Sequence, residues 1–334
     1  MEYRTLGKTG LRVSVLGFGC GNVGGLMIRG EPAEQRGVVS TALEAGVTYF
    51  DTAPSYGAGR SEEKLGRTLR DLSAWGKVVV GTKLRVSASD LGDLRAAVRR
   101  SVQESLRRLG HDSVDLVQLH NRILPKDSEA GDGLAADLVS GELADAMRDV
   151  VREGLVRHVG ITGMGETRAV KEVVDSGRFD TVQAYFNALN PSAGFSGASG
   201  GAQDFGGLID VVAAAGLGIL AIRVMAAGAL SGSAERARLA SPAGGGALVQ
   251  GGEFQADVAR ARGLSSLAGE LGLENTQELG FRFVLSKTGP SSVLVGFSDP
   301  DQLESATRWT ERGPLTAVAV ERVVAAARSS APAG

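Results

Sequence analysis

The chain has 334 residues, 43% apolar and 22% charged, a size and composition that fit two globular domains or one large α/β barrel. A formal net charge of −2 gives no electrostatic reason to expect nucleic acid or an anionic membrane as partner. A single cysteine, Cys20, forbids an internal disulfide, and three histidines with no cysteine cluster or His-X-His pair argue against a zinc site.

Segments 3–6 and 11–14 read as a hairpin joined through Lys8-Thr9-Gly10. Apolar runs suited to buried parallel strands follow near 15–19, 47–51, 78–83, 114–120, 156–161, 181–186, 218–224 and 293–297. Helical patterns alternate with them near 33–45, 61–72, 91–109, 135–153, 166–176, 205–215, 276–287 and 300–309. The third helix is the clearest. Leu94, Val98, Val102, Ser105, Leu106 and Leu109 share one side, and arginines cover most of the rest. Eight such alternations predict an α/β fold of the (β/α)8 TIM-barrel type, with the N-terminal β-hairpin, extra C-terminal helices, and one domain over 1–334.

Two Gly/Ser/Ala-rich insertions, 191–207 and 229–256, follow the sixth and seventh strands. Composition reads them as mobile solvent loops, whereas their place after barrel strands makes a ligand-covering role the alternative. The tail 329–334 is expected to fray. The run 211–222 is too short to cross a bilayer, and the first residues lack the apolar core of a signal peptide, so a cytoplasmic protein is expected.

Three strands end in chemistry. Asp51 closes the second, with Tyr56 five residues on in a Pro/Gly-rich loop; Lys83 closes the third and His120 the fourth. A phenol near its ordinary pKa is a poor acid or base at neutral pH, so an adjacent ammonium that stabilises the phenolate and a carboxylate that holds the ammonium charged are the tuning it needs. His120 can donate to a substrate oxygen. Taken singly, Asp51 reads as a turn cap, Lys83 as a solvated strand end, His120 as structural and Tyr56 as packing. All four at successive strand ends form a proton-transfer site. A barrel hydrolase would need a second carboxylate or a metal cluster, and the strand ends offer one clear acid.

These residues, with Gly17-Phe18-Gly19, Gly81-Thr82-Lys83, Asp115 to His120, Val159-Gly160-Ile161-Thr162, Val182-Gln183, and Val295-Gly296 followed by Asp299 to Glu304, give a chain that resembles the aldo-keto reductases over almost its full length. The resemblance implies a barrel that binds an extended nicotinamide cofactor across its C-terminal face. It implies Tyr56 as proton donor or acceptor, Lys83 and Asp51 as its tuners and His120 as substrate orienter. It also implies cofactor contacts at Gly19, Cys20, Gly21, Asp51, Thr162, Gly163, Gln183, Ile222, Arg223, Val224, Met225, Gly296, Phe297, Ser298 and Gln302.

Several positions depart from the common pattern. Thr162-Gly163 replaces Ser-Asn, Ile222 replaces an aromatic, and Arg223 replaces a small residue. Ser298 lacks the arginine that reads the 2′-phosphate of NADP, and Ser305-Ala306 replaces Glu-Asn, with Arg223 or Lys287 as alternative sources of charge. NADP and NAD both stay open. Short segments around 160–163 and 292–296 look most like the aldose 1-dehydrogenase and L-galactose dehydrogenase branch, whose members oxidise a sugar hemiacetal. The implied partners are small aldehydes, ketones or aldoses, and the side chains lining their pocket are expected from loops near 22–31, 53–60, 85–90, 121–134 and 191–207, which are low in aromatics, with Phe186, Phe195 and Phe205 as an alternative apolar wall. A cofactor-binding regulatory subunit on the same fold is the alternative.

Overall fold

The computed structural model describes residues 1–126, 133–198, 203–241 and 254–329. The expected hairpin is there: β1 (Tyr3–Thr5) pairs antiparallel with β2 (Arg12–Ser14), across a turn that closes at Gly10 with φ 74°, a conformation natural to glycine. The barrel follows as β3 (Leu16–Gly19), β4 (Tyr49–Asp51), β5 (Val79–Leu84) and β6 (Val114–Leu119). Two short strands, β7 (Arg122–Leu124) and β8 (Gly133–Ala135), pair with each other outside it. The circle is completed by β9 (Val156–Thr162), β10 (Thr181–Tyr185), β11 (Gly218–Ile222) and β12 (Pro290–Gly296), with β12 closing in parallel on β3. The (β/α)8 architecture read from the sequence is the one found.

Side chains alternate along each strand, and in a closed barrel both faces are buried, which is why these strands read as apolar runs. Phe18 and Phe50 face outward, stacked at 5.3 Å, and Phe297 packs on Phe18 at 5.0 Å. Tyr49, Val79, Leu116, Leu220 and Leu294 face inward and pack on Leu6, Leu11 and Val13 from the hairpin, which plugs the barrel floor. Above that apolar layer the same inward parity carries Asp51, Lys83, His120, Thr162 and Gln183. The alternation that builds the core therefore also gathers the polar strand ends over one point. Gly81 keeps the level between them open, because a methyl there would lie 2.5 Å from the Tyr49 hydroxyl.

Some elements differ from expectation. The helix expected over 135–153 is broken: Ala136–Leu138 leads into a wide π turn, Val139–Leu143, before Ala144–Arg152 continues. Gly141 sits at its kink with φ −94° and ψ −112°, and Ser140 Oγ donates back to the Ala136 carbonyl at 2.9 Å, both of which loosen the regular ladder. Additional helices span Leu26–Arg29, Phe254–Gly263, Ser265–Glu270 and Ala317–Ser329, the last matching the expected C-terminal extension.

The expected loops are only partly within view. In the first insertion, 191–198 and 203–207 pack on the barrel rather than standing in solvent: Ala193 and Ala198 are buried, and Phe205 N donates to Ser192 Oγ at 2.9 Å. Residues 199–202, 242–253 and the tail beyond Ser329 lie outside the described residues.

Candidate active site

Asp51 and Lys83 form an ion pair almost completely removed from solvent, the lysine 1% and the aspartate 5% exposed. Lys83 Nζ also donates to the Thr52 carbonyl at 2.9 Å. The second carboxylate oxygen of Asp51 accepts from Gln183 Nε2 at 2.6 Å, with the Tyr49 hydroxyl at 3.4 Å. Such a pair is stable only because its remaining lone pairs and protons are satisfied. Burial acts to discharge Lys83, but the Asp51 carboxylate and the Tyr56 phenol overcome it and hold the ammonium charged well above the ordinary lysine range.

Tyr56 is set by its loop. Gly57, Ala58 and Gly59 all have positive φ, at 61°, 55° and 88°, and the last opens the helix Arg60–Asp71. Asn22 Oδ1 accepts from Gly57 N at 3.2 Å, tying this loop to the one after β3. The phenol ring is held between the backbone of Gly21, where an added methyl would touch it at 3.4 Å, and Lys83 Nζ, 4.7 Å from its centroid. His120 stands edge-on to it with ring centroids 6.1 Å apart.

The electrostatics refine the sequence reading. Lys83 does pull the Tyr56 phenol down, as expected, but burial outweighs it and the net direction is up from the ordinary tyrosine value. Tyr56 is thus held as the protonated phenol at neutral pH. His120 is pushed down to about 3 by burial, with Lys83, Arg85 and Arg223 adding to the effect. Its imidazole is neutral throughout the working range.

These groups open into a cavity of about 780 Å³, a size common for small-molecule sites. Asp51, Tyr56 and His120 line one end, together with Gly19, Gly21, Thr162, Gln183, Ile222, Arg223, Val224 and Met225. Gly296, Ser298 and Gln302 line the other. Lys83 lies just behind, reaching the cavity through Tyr56. Three residues named from the resemblance are placed elsewhere. Cys20 and Phe297 fall on the outward parity and pack in the core between barrel and helices. Gly163 spends its N–H on the Gln183 carbonyl at 2.8 Å, and a side chain there would meet that carbonyl at 2.9 Å. Lys287 pairs with Asp210 at 2.7 Å and is not in the cavity wall.

Sequence reasoning did not name much of the wall. The described part of the second insertion, through Ser231, Glu235, Arg236 and Ala240, lines the cavity, with Ala227 and Gly228 just before it, which favours the ligand-covering reading over the solvent loop. Arg29 holds it down, donating to the Leu239 carbonyl at 2.6 Å and the Asn22 carbonyl at 2.7 Å. Phe254, Asn275, Gln277 and Trp309 complete that end. Among the described residues, none from 85–90, 121–134 or 191–207 lines it. Phe186 and Phe195 are packed against Phe283 instead, and Phe205 is stacked behind Tyr185, which is the aromatic that does face the cavity.

Two observations fit an extended nucleotide. Thr162 Oγ1, on the cavity wall, is buried and has no hydrogen-bond partner, an unmet group of the sort a ligand amide satisfies. At the far end the chain runs backbone to backbone: a methyl on Gly24 would come within 2.5 Å of Gly296 and Phe297, so the loop lies flush on the end of β12 and leaves the groove above it open.

Fold and site together define a (β/α)8 barrel with a buried carboxylate–lysine pair beside a tyrosine at one end of a long cavity. The sequence profile of the Aldo/keto reductase family matches residues 15–328, and the chain belongs to that family. It is 35% identical over 168 residues to L-galactose dehydrogenase of Arabidopsis thaliana, covering 49% of each chain. It is 35% identical over 190 residues to D-threo-aldose 1-dehydrogenase of a Pseudomonas species, covering 49% of this chain and 55% of that one. The matches thus span about half the length of these curated relatives. A probable voltage-gated potassium channel subunit beta of Oryza sativa subsp. japonica is 26% identical over 98% of this chain and 97% of its own. The holo form of an aldo-keto reductase from Bacillus halodurans superposes with a TM-score of 0.71 at 23% identity, covering 100% of this chain and 97% of the other, a likeness of fold.

Proposed function

We propose that this protein is a nicotinamide-dependent oxidoreductase that interconverts a carbonyl, or a sugar hemiacetal, with its reduced or oxidised counterpart, using Tyr56 as general acid and base. The observation that carries this reading is the buried Asp51–Lys83 pair beneath a protonated Tyr56. The relatives named for L-galactose and D-threo-aldose dehydrogenation make small aldoses and aldehydes the substrates to try first.

A nicotinamide nucleotide, when bound, supplies or takes up the hydride. Thr162 Oγ1 and the side-chain amide oxygen of Gln183 would hold its carboxamide, Ile222 would underlie the ring, Arg236 would face the diphosphate, and Ser298 and Gln302 would border the adenosine. In reduction Tyr56 donates its proton to the carbonyl oxygen, while neutral His120 hydrogen-bonds that oxygen and fixes its direction. Lys83 stabilises the phenolate left behind, and Asp51 keeps Lys83 charged without moving a proton itself. Gln183 binds Asp51 and borders the groove, so one amide couples the proton-transfer centre to the cofactor's position.

The helix Pro300–Arg312 contributes Asp301, Gln302, Ser305, Ala306 and Trp309 to the far end of the cavity and no cation. Ser298 Oγ is committed to the Gly24 carbonyl at 2.6 Å, and Gln302 Oε1 to Ser298 N at 2.8 Å. A 2′-phosphate there meets Asp301 and no charge-assisted partner from this helix. Titration with the four nucleotides should give NAD and NADH dissociation constants at least ~10-fold below those of NADP and NADPH. Preference for NADPH would contradict this assignment and the dehydrogenase-branch reading with it.

The pH dependence has a definite sign. Reduction consumes the Tyr56 proton, and with Tyr56 raised above its ordinary value and His120 near about 3, neither changes state in the neutral range. Reduction should therefore be flat in kcat from about pH 5 to about pH 9. Oxidation needs the phenolate and should rise with pH across the same range. A histidine-like limb near neutrality would show that His120 titrates in turnover.

A further inference from the structure

Arg223 stands apart from the other arginines of the cavity region. It follows directly on β11 with φ 59°, a conformation costly for a side chain that bears a Cβ, and Ala226 and Ala227 repeat it at 47° and 56°. The strain is held by bonds to the Arg223 carbonyl, from Ala226 N at 2.8 Å and Asn187 Nδ2 at 3.2 Å. Its consequence is the direction of the side chain. The guanidinium turns into the cavity and lies 6.0 Å over the ring of Tyr185, which Phe205 backs at 5.6 Å. Its charge is felt at both His120 and Tyr56, which puts it at the proton-transfer end.

Beyond the Tyr185 ring, that guanidinium has no charged partner among the described residues, and its Nη1 is buried without a hydrogen bond. By contrast Arg29 is bound by two carbonyls and Arg238 by Glu34, while Arg236 gives Nη1 to the Ala227 carbonyl and leaves its buried Nε unpaired. A buried donor left empty costs free energy, and a strained backbone that delivers it to a reaction centre is the local inconsistency expected where a ligand completes the structure. A rigid planar fork of donors matches the two oxygens of a carboxylate or phosphate. Neutral hydroxyls would satisfy single donors but not the charge.

We propose that Arg223 is a specificity-determining residue that binds an anionic substituent of the substrate, a carboxylate or a phosphate, while the carbonyl or hemiacetal carbon sits beneath Tyr56 and His120. This rests on the oxidoreductase reading for the reacting end, and it narrows the substrate to acid-bearing or phosphorylated aldehydes and sugars. Lysine would keep the charge at this position but lose the fork, so Arg223→Lys should be intermediate.

The test compares matched substrates that differ in charge: succinic semialdehyde with butyraldehyde, and glyceraldehyde 3-phosphate with glyceraldehyde, which also separates carboxylate from phosphate. The ratio of kcat/KM, charged over neutral, should fall about 10–100-fold in Arg223→Gln, mainly through KM, and recover in part in Arg223→Lys. A binding arm needs no turnover: succinate or glycerol 3-phosphate should raise the thermal midpoint of the wild type and not that of Arg223→Gln. If the wild type turns over no aldehyde yet these anions bind through Arg223, the oxidoreductase reading falls and Arg223 stands as an anion-binding residue alone, its role in substrate specificity overturned. An unchanged ratio with unchanged anion binding overturns it. So does a loss shared equally by both members of each pair with weakened nucleotide binding, which would assign Arg223 to the cofactor diphosphate.

Discussion

Replacing Tyr56 with phenylalanine should lower kcat by about 10²–10⁴-fold, while the nicotinamide nucleotide binds with little change. The ring keeps its contacts with Gly21 and Lys83, since the phenylalanine fills the same space between them. Only the hydroxyl is lost, and with it the proton. The loss belongs to kcat and kcat/KM together, because the interaction exists in the transition state and contributes little to holding the nucleotide. Rates close to wild type would take Tyr56 out of the mechanism, and parallel loss of nucleotide binding would make it a binding residue.

Lys83→Met should have the second largest effect, and on two quantities at once. It removes the ammonium that stabilises the phenolate, so kcat falls by about 10²-fold or more. It also leaves the Asp51 carboxylate buried with Gln183 and Tyr49 as its partners, at a cost of about 3–5 kcal/mol in stability. The two effects separate in a double variant. Adding Asp51→Asn removes the stranded charge, so urea unfolding should show Asp51→Asn/Lys83→Met more stable than Lys83→Met alone, with turnover still low. Additive losses of stability would mean that the two side chains are not coupled as the geometry indicates.

Asp51, Tyr56, Lys83 and His120 were readable as candidates because each is a chemically distinctive side chain on the inward parity of a barrel strand, or in the loop directly after one. The same parity rule marks Phe297 and Cys20 as outward, one step from Gly296 and Gly19, and applying it residue by residue separates wall from core. Other features depend on distances between elements far apart in the chain. The rise of Tyr56 above its ordinary value comes from burial by loops that the local sequence does not display. Gly163 reads as a ligand contact until the Gln183 carbonyl is seen against it. The Gly/Ser/Ala composition of the second insertion carries no sign of the Arg29 contacts that hold it over the groove. Arg223 was visible as an unusual residue type, but its meaning lies in a positive φ and a buried, unpaired Nη1, which no pattern in the sequence expresses.

Similarity over nearly the whole chain to a probable voltage-gated potassium channel subunit beta sharpens what must be measured, because nucleotide binding alone would not distinguish turnover from a cofactor-binding regulatory subunit on this barrel. The direct measurement is transfer of the label from reduced nicotinamide deuterated at C4 to a panel of neutral, carboxylated and phosphorylated aldehydes and aldoses, with products analysed by mass spectrometry. The proposed function predicts one deuterium on the former carbonyl carbon of at least one substrate, formed by the wild type and all but lost in Tyr56→Phe. Tight nucleotide binding with no deuterium in any product, or equal transfer by wild type and Tyr56→Phe, would contradict it.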